Sequence, residues 1–439
     1  MHRDATSWLT EGSAATNART LRHAKAGLQS SIANLANTTI GAGMLAIPGA
    51  WSSTGLVGGI LLLSGVSALM TFTMHLLAEC VDVIGRPATL SEVVDASLGV
   101  GFRALVDFGC VCNMGGGCIS YLIIIGDSLP EVKIGLFGAS VLPLLNARRF
   151  WICLLLSVLA PLTFLRRLES LGSVSGVALL FVLGIVVMCV LFFVGVFDGC
   201  PGHARPCLGD IELVGSPAGG IPFAALGTVL FAFGPHYNVV AVANELSQPS
   251  RARMLTVFVA SQLGSLTIYT TLTVSAYLTF GKGIPGDVLL AYPQASLVVS
   301  VARLMLVFVV ALSYPVVAFP LSQALHSLLT IIARAVGIPS APRIADADDG
   351  AFHSDPMVLC AVTLVLSSTL VTALFVTSLG KVVSMAGGIG ASIGCLILPG
   401  AAYAILVPKP RFALKRLGAL LTLAIGLVVP PMLVVQNIE

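Results

Sequence analysis

The sequence predicts an all-α polytopic membrane protein, on three observations. Of 439 residues, 56% are hydrophobic and only 10% charged, and mean hydropathy is +0.98. A water-soluble chain has too little polar side chain to cover that much apolar surface. Second, windows long enough to cross about 30 Å of hydrocarbon as helix, and nearly free of charge, recur eleven times. Third, lysine and arginine collect on one side of those windows.

The windows run approximately 28–51, 56–80, 102–129, 150–165, 171–197, 221–243, 254–280, 296–321, 357–379, 382–407 and 412–435, the fourth being short. They are continuous apolar runs, unlike the alternating segments of about ten residues that build a membrane barrel, so helices are expected. The first 27 residues are polar, carry Arg3, Arg19, Arg22 and Lys25, and lack the apolar core and cleavage site of a secretory leader. With the N-terminus in the cytoplasm, the inside segments receive sixteen basic residues: 3, 19, 22, 25, 86, 103, 166, 167, 251, 253, 334, 343, 409, 411, 415 and 416. The opposite side receives Lys133, Arg148, Arg149, Arg205, Lys282 and Lys381, and Arg303 falls inside a span. The positive-inside rule therefore sets the N-terminus in the cytoplasm and the C-terminus on the exoplasmic side.

This topology divides the chain into a cytoplasmic tail (1–27), spans one to five (28–197), an exoplasmic loop (198–220), spans six to ten (221–407), and span eleven with the C-terminus (408–439). Within the loop, Cys200 and Cys207 flank the turn-forming Pro201, Gly202 and Pro206. A disulfide between them is expected on an oxidising side; the other eight cysteines lie in or beside spans, where they serve as small apolar residues.

Composition and motifs exclude other classes. A net charge of +3 dispersed among apolar stretches is no nucleic-acid surface. Walker, HExxH and GxSxG motifs are absent, and the seven histidines are not at metal-ligand spacing. An enzyme is therefore not expected, and the partners are the bilayer and a small molecule. Asp107 lies toward the interior of span three, where a carboxylate is costly and marks either function or an interfacial charge.

Two spans should not be continuous helices. The first reads Asn34-Leu35-Ala36-Asn37-Thr38-Thr39-Ile40-Gly41-Ala42-Gly43, with Pro48 further on; the sixth reads Phe231-Ala232-Phe233-Gly234-Pro235-His236-Tyr237-Asn238. Glycine and proline weaken a helix where hydrocarbon offers no replacement hydrogen bonds, so the unwound backbone must line a cavity. A glycine-mediated packing face would explain either segment alone. Both hold equivalent places in two five-span halves, the arrangement of inverted-repeat carriers with a midplane site.

The chain resembles the amino acid/auxin permease superfamily, closest to its sodium-coupled neutral amino acid transporter branch. The resemblance rests on Asn34 to Asn37 with Gly41-Ala42-Gly43 after them, and on Phe231-Ala232-Phe233 with His236 and Glu245-Leu246 after them. Further matches are Tyr277 to Gly281, Pro315 to Pro320 and Leu398 to Tyr403. It implies the leucine-transporter fold: spans one to five and six to ten as inverted repeats, with span eleven peripheral. Pro235, Tyr237 and Asn238 depart from the pattern around the histidine, which bears on substrate preference.

The resemblance and the two breaks together imply ion-coupled alternating-access transport of an amino acid, with a neutral substrate. An amino-acid-sensing receptor of the same shape and an uncoupled facilitator are the alternatives. Amides freed at Gly41, Ala42 and Gly43, with Thr39 beside them, would meet the carboxylate. Carbonyls around Phe231, Phe233 and Gly234 would meet the ammonium, and Tyr237 and Asn238 would border the side-chain pocket. His236 divides between gating or proton sensing and packing. No cofactor is expected beyond a coupling ion. Sodium would use Asn37 and Ser313, which match the branch's sodium positions although a threonine is expected at the latter; protons would use Asp107 or His236. The membrane is plasma or vacuolar/lysosomal.

Overall fold

The computed structural model describes residues 26–163, 172–197, 207–215, 222–336, 356–408 and 413–438. All regular structure among them is helical. Nine helices among the described residues are long and apolar enough to cross a membrane. The difference from eleven windows has two local causes. Windows one and two join in one 42-residue element, and window four yields a helix of only 16 residues.

In chain order the helices are α1 (Leu28–Thr39), α2 (Gly43–Ile84), α3 (Leu90–Ser97), α4 (Val100–Phe137), α5 (Arg148–Thr163), α6 (Gly172–Val194) and α7 (Phe223–Ala232). They continue as α8 (His236–Glu245), α9 (Arg251–Phe280), α10 (Leu297–Ala335), α11 (Pro356–Phe375) and α12 (Leu379–Met385). A π-helical segment, Ala386–Ile397, leads into α13 (Leu398–Leu406), and α14 (Leu414–Ile438) comes last. Polar caps fix several starts. Thr89 and Glu92 form a capping box on α3, and the Ser250 side chain accepts from the Arg253 amide at the head of α9.

The turn between windows one and two lies inside α2 at Gly55, whose φ of 71° a side chain would resist. A β-carbon there would also sit 2.6 Å from the Gly215 nitrogen. The loop 207–215 packs into this turn, its Glu212 and Leu213 carbonyls accepting from Leu56 and Val57. Cys207, at the start of that loop, is disulfide-bonded. Cys200, its expected partner, lies outside the described residues.

The core runs through the helix crossings, with α4 packed along α10, and α9 packed on α1, α2 and α6. Arg303, within window eight, is fully buried: its Nη2 donates to the Leu289 carbonyl at 3.0 Å, and its Nη1 lies 3.9 Å from Glu131. An internal partner therefore accounts for that charge. Beside it Arg148 pairs with Asp127 at 2.7 Å.

Candidate functional site

Both expected breaks are present. The first lies between α1 and α2. Ile40 still donates to Ala36, then its ψ of 101° turns the chain out of the helix, and the helix resumes at Gly43. Gly41, Ala42 and Gly43 stand at the head of α2, where the first amides of a helix have no carbonyl within it. The second break lies between α7 and α8. Phe233 donates to Val229, Gly234 makes only a long 3.4 Å bond to Phe231, and Pro235 has no N–H to give. The C-terminal carbonyls of α7 therefore face away from their own helix.

The two breaks touch. A β-carbon on Gly43 would lie 2.8 Å from both Cα and Cβ of Ala232, so glycine is required for close approach of the two chains. Asn238 donates to the Thr38 hydroxyl at 3.1 Å, a second stitch between α8 and α1. Two side chains of α9 complete the contact. The Tyr269 hydroxyl lies 2.7 Å from the Thr39 carbonyl and 3.0 Å from that of Ala232, and Gln262 donates to the Phe233 carbonyl at 3.2 Å.

The remaining expected residues distribute around this contact. Thr39 turns its hydroxyl back to the Leu35 carbonyl, so only its backbone reaches the break. Gly41 faces Tyr121, whose hydroxyl would be 3.4 Å from a β-carbon there. Ser313 donates to the Val309 carbonyl one turn back, and half-buried Asn37 precedes the break by three residues. Phe231 is half-buried and extends toward Gly117 of α4, beside Val317 of α10. Phe233 is fully buried, edge-on to Tyr269 at 5.0 Å.

Tyr237, Asp107 and His236 make none of these contacts. Tyr237 points toward α4 and the π-helical segment, its hydroxyl against Gly109 and Gly394 and 3.4 Å from the Gly390 carbonyl. The glycines there make room for the ring. Asp107 lies on α4, with one carboxylate oxygen buried and without a hydrogen-bond partner among the described residues. His236 heads α8 and is buried; its Nε2 lies 2.8 Å from the Thr73 hydroxyl, and Nδ1 has no hydrogen-bond partner among the described residues.

Tyr269, Gln262 and Tyr121 were not singled out from the sequence. A signal for the first two existed: Gln262, Ser265 and Tyr269 recur at i, i+3 and i+7, which places three polar groups on one face of an apolar span. All three are buried.

Chemically, the head of α2 presents amide donors and a positive helix end, and the tail of α7 presents carbonyl acceptors and a negative end. Such a pair complements a zwitterion.

Residues 24–438 match the family model described as transmembrane amino acid transporter protein. The chain is 30% identical over 374 residues to sodium-coupled neutral amino acid transporter 7 of Rattus norvegicus, covering 83% of this chain and 76% of the relative. It is 29% identical over 384 residues to vacuolar amino acid transporter 5 of Schizosaccharomyces pombe, covering 86% and 84%. Vacuolar amino acid transporter 6 of Saccharomyces cerevisiae is 25% identical over 411 residues, covering 85% and 89%. These relatives are transporters and not enzymes, and the chain belongs to the family of transmembrane amino acid transporter proteins.

Proposed function

We propose that this protein is a secondary active transporter of neutral amino acids, working by alternating access between two broken helices. In this reading the chain crosses the bilayer eleven times. Spans one to five and six to ten form inverted repeats, span eleven lies outside them, and the N-terminus is cytoplasmic. The observation that carries the proposal is the contact of the two breaks, with Gly43 against Ala232 and Tyr269 reaching both. The carboxylate meets the amides at Gly41 to Gly43, and the ammonium meets the carbonyls at Thr39, Ala232 and Phe233. The side chains nearest the breaks, Tyr121, Phe231, Gln262 and Tyr269, carry no formal charge, which favours a neutral substrate side chain. Phe231, directed toward Gly117 and Val317, forms an apolar wall for it.

Sodium is the proposed coupling ion. Ser313 gives its single hydroxyl proton to Val309 and keeps its lone pairs for a cation; Asn37 supplies a carbonyl oxygen. A relative named as sodium-coupled supports the assignment, and relatives named as vacuolar support a vacuolar-type membrane. Proton coupling has two observations of its own, the unpartnered Nδ1 of buried His236 at the head of α8 and the unpartnered buried carboxylate oxygen of Asp107 on α4. Uptake by proteoliposomes separates the two: replacing sodium by choline at fixed pH should cut transport at least tenfold. Undiminished uptake in choline with a steep rise on acidification assigns the coupling to protons.

A further inference from the structure

The stripe Gln262, Ser265 and Tyr269 lies on α9, outside both broken spans, and its last member contacts both of them. The carbonyls of Thr39 and Ala232 converge on one phenolic oxygen, at 2.7 and 3.0 Å. Two carbonyl dipoles aimed at the same point repel unless a hydrogen lies between them, and a phenol has one hydrogen to share. Thr39 ends α1 and Ala232 ends α7, so the one phenol ties the first break to the second. The ring itself is fixed by packing: Tyr269 is 0% exposed and edge-on to Phe233.

We propose that Tyr269 is a positioning residue for the substrate's ammonium group, holding the carbonyls of Thr39 and Ala232 as a converging pair of acceptors. The inference rests on the amino acid transport proposed above and extends it to a span that neither helix break includes. Each carbonyl oxygen has two lone pairs, and the phenol engages at most one of them. An ammonium with three N–H donors uses what remains, as a primary amine does and a dimethylated amine does only in part. Tyr269 thereby sets a preference for an unsubstituted α-amino group. Without the hydroxyl the two carbonyls splay apart, and the pocket loses the geometry that reads the amine.

The test uses the full-length protein in proteoliposomes. Uptake of the twenty radiolabelled amino acids is measured first, and the best-carried one is then compared with its N,N-dimethyl derivative as competitor. Tyr269→Phe keeps the ring and removes only the hydroxyl. It should raise KM about tenfold, equivalent to about 1.4 kcal/mol, change the maximal rate less than threefold, and bring the dimethyl derivative close to the parent in potency. An unchanged KM, or a fallen maximal rate with the amine preference intact, overturns the positioning role, since a merely structural residue would behave that way. Should the variant not accumulate as folded protein, fluorotyrosines of graded acidity at position 269 take its place. KM should track phenol acidity, and a flat response overturns the proposal. Wild-type protein that carries none of the twenty amino acids rejects the transport reading itself; wild-type carriage with variant kinetics unchanged rejects only Tyr269.

Discussion

The two helix breaks differ in what they expose and in what holds them. The first, between α1 and α2, is made of glycine and alanine and presents amides at a helix start. The second, between α7 and α8, contains Pro235 and presents carbonyls at a helix end, two of which are held from outside by Gln262 and Tyr269. The first break offers amides together with the Thr39 carbonyl, and the second offers carbonyls alone. Their glycines also do different work from what a turn would require. Gly41, Gly43 and Gly234 are not among the residues of positive φ, and Gly43 is needed because the second break lies against it. A break in a membrane helix can thus be specified by its neighbour as much as by its own backbone preference.

The largest expected effect tests that dependence. Gly43→Val should abolish uptake, and Gly43→Ala should lower it more than tenfold, because the new β-carbon meets Ala232 at 2.8 Å. Overpacking of this kind costs about 1–3 kcal/mol. Adding Ala232→Gly to Gly43→Ala should recover part of the lost transport by giving the β-carbon room. Radiolabelled uptake normalised to folded protein decides it; no recovery in the double variant would show that Gly43 serves the substrate and not the contact.

Next in size is Gln262→Leu, which leaves the buried Phe233 carbonyl without its donor. An unsatisfied buried acceptor costs about 1–3 kcal/mol, so thermal unfolding in detergent should occur several degrees lower and uptake should fall several-fold. If the second break stands without help from α9, both readouts stay at wild-type values.

A smaller effect is expected at the proposed ion position. Ser313→Ala removes a hydroxyl that already donates to its own helix, so folding and maximal uptake should change little while half-saturation by sodium rises several-fold. An unaltered sodium curve would move the coupling away from Ser313.

The smallest effect lies away from both breaks, in the segment between α9 and α10. Asp287 caps the short 3₁₀ turn Val288–Ala291, is almost fully buried, and has one oxygen without a hydrogen-bond partner among the described residues. Burial pushes its carboxyl up to about 7, with Asp127 adding to the rise; the Leu289 amide and Arg303 oppose it. A carboxyl raised in the folded state binds more protons there than in the unfolded chain. Its contribution therefore favours the docked segment as pH falls from about 7 toward the ordinary carboxylate range, and is lost as pH rises through 7. Thermal unfolding at pH 5.5 and pH 8 should differ less in Asp287→Asn than in wild type; an identical pH dependence would remove Asp287 from that role.

Much of the site was legible because hydrocarbon makes backbone disruption conspicuous. Gly41-Ala42-Gly43 and Gly234-Pro235 stand out in apolar spans, since nothing but protein can satisfy the freed groups. The surroundings of Tyr237 were not legible for a reason of packing: Gly109, Gly390 and Gly394 are far from it in sequence, and only the folded chain shows them making a slot for its ring. Tyr269 was missed because a tyrosine in an apolar span looks like core until a partner is seen.

By itself the sequence determined the class, the broken spans and the family resemblance, since hydropathy, helix length and glycine or proline placement act locally along the chain. Only the tertiary structure decided which groups meet: Gly43 on Ala232, Asn238 on Thr38, Gln262 on Phe233, and Tyr269 between Thr39 and Ala232. Those contacts join residues up to 230 positions apart, and their partners are set by how helices cross, which no local pattern encodes.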